Sequence, residues 1–318
     1  FAGKCRAMGA WGCGAKGLGS VFSNRDGFEK GGAAARSAHA GGQVRMGSSL
    51  PSYFDNKVLE DLIDDGDWMG LLMTAAQNTK KFNDVNWATL FETIGLFRRQ
   101  SEFVNTYLIE NDELIKFLVA GLESRVKLEG LGWMSVHNMS KTVHGFELMG
   151  EASKLLFGSV EKNAERVVKE GTPEEIANIA LAFARLGHDA NVLAELINRE
   201  DVAGKVVRDG TPAEIKATLL SLAKLGRRAD VLCGMIDREE IAEKIVREGM
   251  PDDISAIFCA VALFGHDPKV LAVKMNREDV VEKMVRDETL TPLDISRTIA
   301  VMARLGHNYE LLARKFNR

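Results

Sequence analysis

Three residue types keep a single register through the C-terminal half of this chain. Pro173, Pro212, Pro251 and Pro292 recur at steps of 39, 39 and 41 residues, and Gly187, Gly226, Gly265 and Gly306 follow the same steps, as do Arg199, Arg238, Arg277 and Arg318. A period of this length marks a repeat architecture, in which one unit cannot bury its apolar face alone and must lie against its neighbours.

Each period opens with a chemically marked helix start. In Thr172-Pro173-Glu174-Glu175, Thr211-Pro212-Ala213-Glu214 and Thr291-Pro292-Leu293-Asp294 the threonine hydroxyl can accept an orphan N–H, and proline sits where no donor is needed. The acid then meets the positive helix end. Met250 breaks the rule and predicts a cap weaker by about 1 kcal/mol. Ile176, Ile179, Ala180, Phe183 and Leu186 make one stripe at 3.6 residues per turn. Ile215, Leu219, Leu222 and Leu225 repeat it, as do Ile254, Ile257, Phe258, Val261 and Phe264. Ala184, Ala223, Ala262 and Ala303 form a small-residue column, and the glycine column stops each helix in a left-handed conformation.

A second helix carries Val192, Leu193, Leu196 and Ile197. Beyond it, Asn198-Arg199-Glu200-Asp201, Asp237-Arg238-Glu239-Glu240 and Asn276-Arg277-Glu278-Asp279 place an Asx where it can cap a further short helix, such as residues 202–208. The second element is therefore either bent or split. Weaker copies of the first helix fall at residues 135–150 and 83–97, a helical segment spans residues 56–76, and an insertion near residues 127–132 stretches one step to 52. The chain reads as an all-α, right-handed α-solenoid of about six helical-hairpin repeats of ~39 residues. Three regions follow: an extended basic Gly/Ala-rich tail (1–54), divergent repeats (55–170) and four regular repeats (171–318), the last incomplete and expected to be covered by a partner or by further residues.

The signature T-P-x-E-I-x-x-x-x-x-x-[AL]-x-L-G at a period near 39 resembles the octotricopeptide and heptatricopeptide repeats, a helical-repeat class related to the FAST-kinase-like proteins of organelles. The likeness covers residues 83–318 and is best in 172–318. It implies binding of organellar RNA or a place in a mitochondrial ribosome. It does not extend to an endonuclease-like domain after the repeats or to a tryptophan in the first helices of the clearest periods.

Charge divides the chain. Residues 1–50 hold seven Lys/Arg and only Asp26 and Glu29, which leaves 34 basic and 43 acidic side chains for the remainder. A basic tail on an acidic body puts the polyanion-seeking function in the tail. Twelve of the first 50 residues are glycine, so ordering the tail is entropically expensive and calls for a surface outside the chain. Its Arg-bearing, acid-poor, Ala-rich composition and its opening at Phe1 fit the neighbourhood of an organellar transit peptide.

No nucleophile, base and oxyanion donor assemble, the glycine-rich stretches contain no GxxxxGK[ST], and His137 and His144 are not at HExxH spacing. His188, His266 and His307 each follow a helix-ending glycine and read as C-terminal caps. Cys5, Cys13, Cys233 and Cys259 fit no metal spacing and suit free thiols in a reducing compartment. No apolar run approaches the roughly 20 residues needed to cross a bilayer. The expectation is therefore no catalytic site, cofactor, metal, membrane insertion or small-molecule substrate. The candidate RNA contacts are Lys4, Arg6, Lys16, Arg25, Lys30, Arg36 and Arg45 in the tail, with Arg185, Lys224, Arg304, Arg199, Arg238 and Arg277 on the repeats. Regular arginines beside regular acids also describe an ion-paired helix surface that faces proteins. Both readings give a scaffold in a large organellar assembly of the mitochondrial matrix rather than the plastid. A mitochondrial ribosome is the first choice. A respiratory-chain or ATP-synthase accessory subunit, or a free RNA-maturation factor, is the alternative.

Overall fold

Threonine-proline starts and glycine stops dictate short helices with sharp turns. The computed structural model describes residues 54–100, 102–287 and 290–316, all within the second of two units of the chain, Pro51–Arg318. The described residues form nineteen α-helices and a 3-10 turn at Thr79–Lys81, with no strand among them, so the fold is all-α.

Two helices come first, α1 (Asn56–Asp64) and α2 (Trp68–Asn78). The rest run in threes: α3 (Asp84–Gln100), α4 (Glu102–Glu110) and α5 (Asp112–Glu129); then α6 (Val136–Met149), α7 (Lys154–Lys162) and α8 (Ala164–Glu170). The regular periods give α9 (Pro173–Leu186), α10 (Asn191–Ile197) and α11 (Glu200–Asp209), followed by α12 (Pro212–Lys224), α13 (Asp230–Ile236) and α14 (Glu239–Glu248). Next come α15 (Pro251–Leu263), α16 (Lys269–Met275) and α17 (Glu278–Arg286), and last α18 (Pro292–Leu305) and α19 (Glu310–Phe316). The element after α9, α12 and α15, which the sequence left as bent or split, is split.

First helices pack on first helices: α3 on α6, α6 on α9, α9 on α12, α12 on α15 and α15 on α18. Third helices pack on the second helix that follows: α5 on α7, α8 on α10, α11 on α13, α14 on α16 and α17 on α19. The apolar stripes supply the contacts. Ile176, Phe183, Ile215, Leu219, Leu222, Ile257 and Phe258 are fully buried, each worth about 1.5–3 kcal/mol relative to exposure. On α10 Leu193 and Ile197 are buried, while Val192 is 48 % exposed. The alanine column is uneven. Ala184 and Ala262 are buried, Ala223 is half-buried and Ala303 is exposed.

The helix starts follow the sequence closely. Thr172, Thr211 and Thr291 accept the N–H of Glu175, Glu214 and Asp294, whose carboxylates accept the threonine N–H in return. At Met250 the thioether offers no such acceptor, and only the reciprocal half survives, Met250 N–H to Asp253 Oδ2 at 3.2 Å. At the other end Gly150, Gly187, Gly226, Gly265 and Gly306 have φ from +66 to +83°, a region costly for any side chain with a Cβ. The segment 56–76 is two helices rather than one. After the turn at Asp65-Gly66, Asp67 Oδ1 accepts the N–H of Gly70 at 2.8 Å and starts α2 afresh.

Candidate functional site

The second and third helices of each triplet carry the polar chemistry, and much of it joins one triplet to the next. Asn198 was expected to cap the helix that follows it. Instead Arg199 stands at the N-cap of α11 and makes no side-chain cap, and Asn198 Oδ1 accepts the N–H of Val231 at 3.0 Å, at the start of α13. Asp237 does the same for α16 through Val270 at 2.8 Å and Leu271 at 3.2 Å. α10, α13 and α16 are short and have Ala190, Ala229 and Pro268 at their own N-cap positions, so their orphan donors are satisfied from the neighbouring triplet, in α10 through Glu161 Oε1, which accepts the N–H of Val192 at 2.6 Å.

A lysine column closes the opposite helix ends. Lys244 Nζ donates to the carbonyls of Val207 at 3.2 Å, Arg208 at 2.7 Å and Gly210 at 2.5 Å. Lys205 reaches Val168, Lys169 and Gly171, and Lys283 reaches Val246, Arg247 and Gly249, in the same way. Each ammonium caps the last turn of the preceding third helix, where carbonyls lack partners and the helix dipole is negative. Lys205, Lys244 and Lys283 recur at 39 residues; that spacing was the available signal, though they resemble any solvated charge on an amphipathic helix.

The arginine columns have mixed fates. Arg185 donates to Glu147 Oε1 at 2.7 Å, and Arg99 reaches the same oxygen at 3.0 Å, so two guanidinium groups hold a buried carboxylate. Arg199 grips Glu165 at 3.0 Å and Asp201 at 2.8 Å. Arg277 grips Glu243 at 2.7 Å and Asp279 at 2.6 Å. Hydrogen bonds to these acids, Asp201 and Asp279 foremost, raise both arginine pKa values. Lys224, Arg238 and Arg304 are exposed, and among the described residues none of the three forms a side-chain ion pair. Lys4, Arg6, Lys16, Arg25, Lys30, Arg36 and Arg45 lie outside the described residues.

The first helices exchange charges too: Lys141 meets Glu92 at 3.2 Å and His137 meets Glu175 at 2.9 Å. Burial works against the Lys216 ammonium, but hydrogen bonds to Asp253 and Asp252 outweigh it and raise its pKa. Ser255 and Thr298 share a buried hydroxyl pair at 2.6 Å between α15 and α18.

The histidines cap through their backbone, not their rings. The N–H of His188, His266 and His307 donates to Phe183, Val261 and Met302, and that of Arg227 to Leu222. The rings turn to the preceding triplet, His266 to Asp230 at 3.2 Å and His307 to Asp267 at 2.6 Å. His188 stacks on Phe157 with centroids 4.2 Å apart. Cys233 and Cys259 are free, and burial pushes the Cys233 thiol up to about 12. Among the described residues no group of three or more His, Cys, Asp or Glu could hold a metal ion, and no helix is long and apolar enough to cross a membrane.

What this geometry defines is a class: an all-α protein whose helix triplets cap and ion-pair one another. No protein-family model matches the chain, and no similar curated protein is found.

Proposed function

We propose that the chain is a non-enzymatic, right-handed α-solenoid of about six repeats of the octotricopeptide type, each a helix triplet, built into a large organellar ribonucleoprotein of the mitochondrial matrix. The mitochondrial ribosome is the assembly that fits best. In this reading the repeats bind neighbouring proteins and the basic N-terminal segment binds rRNA.

The fate of the arginine columns carries the proposal. Arg185, Arg199 and Arg277 are engaged with carboxylates of their own chain, which leaves Lys224, Arg238 and Arg304 as isolated cations among acids rather than an unbroken positive row. Nucleic-acid surfaces need a net positive face to release counterions from the phosphates, and the repeats and their flanks, with 34 basic against 43 acidic side chains outside residues 1–50, do not supply one. Residues 1–50, with seven basic and two acidic side chains, carry the net positive charge that binding phosphates calls for. The alternating stripes leave an extended surface for protein contacts once the triplets are stacked.

Sedimentation of organelle lysate tests this. The chain should travel with a ribosomal subunit and be released by RNase. Migration with a detergent-solubilised respiratory or ATP-synthase complex, unaffected by RNase, would replace the ribonucleoprotein reading with that of an accessory subunit.

A further inference from the structure

Three consecutive junctions join a third helix to the start of the next, and the middle one lacks the acid that its neighbours hold. In the first, Glu165 faces Arg199 at 3.0 Å; in the last, Glu243 faces Arg277 at 2.7 Å. At the equivalent place in the middle groove stand Gly204 and Arg238. The second acid changes too. Asp201 and Asp279 chelate their arginines two residues away, whereas Glu240 occupies that step beside Arg238. Among the described residues, neither Arg208 nor Arg238 forms a side-chain ion pair or hydrogen bond.

The missing carboxylate leaves room. The groove lined by Gly204, Val207, Arg208, Met235, Arg238 and Ile241 has a volume of about 510 Å³, against about 280 Å³ for the equivalent space beside Glu243 and Arg277. Packing does not demand the glycine. A Cβ there would lie 3.4 Å from Arg208 Nη2 and 3.8 Å from Met235 Cε, ordinary contacts, and Gly204 has no positive φ. Glycine inside a helix lowers helix stability, so the fold itself gains nothing from it.

We propose that the notch at Gly204, Arg208 and Arg238 is a carboxylate-binding site, filled by an acidic side chain of a partner protein that takes the place of Glu165 and Glu243. Planar guanidinium groups bind carboxylates through paired hydrogen bonds; at the two neighbouring junctions Nε and Nη2 pair with Asp201 and Asp279, and Nη1 reaches both oxygens of Glu165 and Glu243. A single carboxylate fits better than a nucleic-acid strand because Glu200, Asp201 and Glu240 line the same groove and repel a run of phosphates. The inference rests on the protein-binding reading of the repeats and names the chemistry of one contact.

The test uses the full chain carrying 13C-methyl methionine, with the Met235 resonance assigned through Met235→Leu and followed by NMR. The probes are acetyl-Gly-Glu-Gly-amide, its Gln counterpart and an eight-residue oligouridylate. The Glu peptide should shift Met235 saturably and the Gln peptide should not. Arg238→Gln should weaken binding at least fivefold. Gly204→Glu should abolish the response while melting no lower than the parent, since the new carboxylate fills the notch and replaces a poor helix former. The proposal is overturned by a Met235 signal indifferent to the Glu peptide, by an undiminished response in Gly204→Glu, or by saturation with oligouridylate at lower concentration than with the peptide. Any of these with sedimentation behaviour intact removes the notch and leaves the scaffold reading standing.

Discussion

Asn198 caps a helix to which it does not belong: its Oδ1 accepts the backbone N–H of Val231, 33 residues on and in the next triplet, at 3.0 Å. Asp237 repeats the bond to Val270. Stability in this chain therefore passes between triplets through polar groups as well as apolar faces, and a single substitution acts on two triplets at once.

Removing that cap should be measurable. Asp237→Ala strips the acceptor from the N–H groups of Val270 and Leu271 and should cost about 0.5–2 kcal/mol in urea denaturation. Asp209→Ala, an exposed acid at the end of α11, should change stability by no more than about 0.5 kcal/mol. Equal effects at the two sites would remove the cap from the account.

The lysine column makes a sharper contrast. Lys244→Met leaves three carbonyls of the α11 terminus without their donor and should cost about 1.5–3 kcal/mol. Lys224→Met, on an exposed helix end, should stay within about 0.5 kcal/mol. Denaturation midpoints of the two variants would settle the comparison.

The tightest helix crossing is at Gly145 in α6. A Cβ there would stand 2.3 Å from the Phe91 carbonyl oxygen of α3, which is backbone and cannot yield. Gly145→Ala should cost about 1–3 kcal/mol through overpacking. Gly158→Ala in α7, with open space around it, should stabilise by up to about 1 kcal/mol. Thermal melts that rank the two alike would contradict this crossing.

Acid should weaken the fold through two histidines. Burial lowers the pKa of His144, an effect that Glu147 and Glu92 only partly offset. Burial, helped by Lys154, also lowers that of His188. The unfolded chain, with its ordinary value of 6.5, then binds protons more readily than the folded one. Their contribution is complete above that value and is lost as pH falls below it. The urea midpoint should drop between pH 7.5 and pH 5.5, and His144→Gln with His188→Phe should remove at least half of the drop. An unchanged drop would place the acid sensitivity elsewhere.

The parts of the fold legible in the sequence are those written locally. Thr172-Pro173 and Gly187 mark one helix by bonds that span three to five residues, and the structure keeps them. What stayed hidden depends on partners distant in sequence. An Asx before an acid can cap its own helix or a neighbour's, and only packing makes Asn198 choose Val231. Lys205, Lys244 and Lys283 read as solvated charges until the carbonyls of the preceding helix are seen beneath them. The arginine columns were visible as spacing, but spacing does not say that Arg199 and Arg277 carry their own carboxylates while Arg238 pairs with none among the described residues. Residues 1–53, with the tail cations, lie outside the described residues.

Ultraviolet cross-linking of the native assembly, followed by peptide mass spectrometry, would separate the partners of residues 1–53 from those of the repeats. RNA adducts should fall on peptides from residues 1–53, while chemical cross-links from residues 84–316 should run to proteins. RNA adducts concentrated on peptides carrying Arg185, Lys224, Arg238 or Arg304, with none in residues 1–53, would contradict that division of labour between tail and repeats.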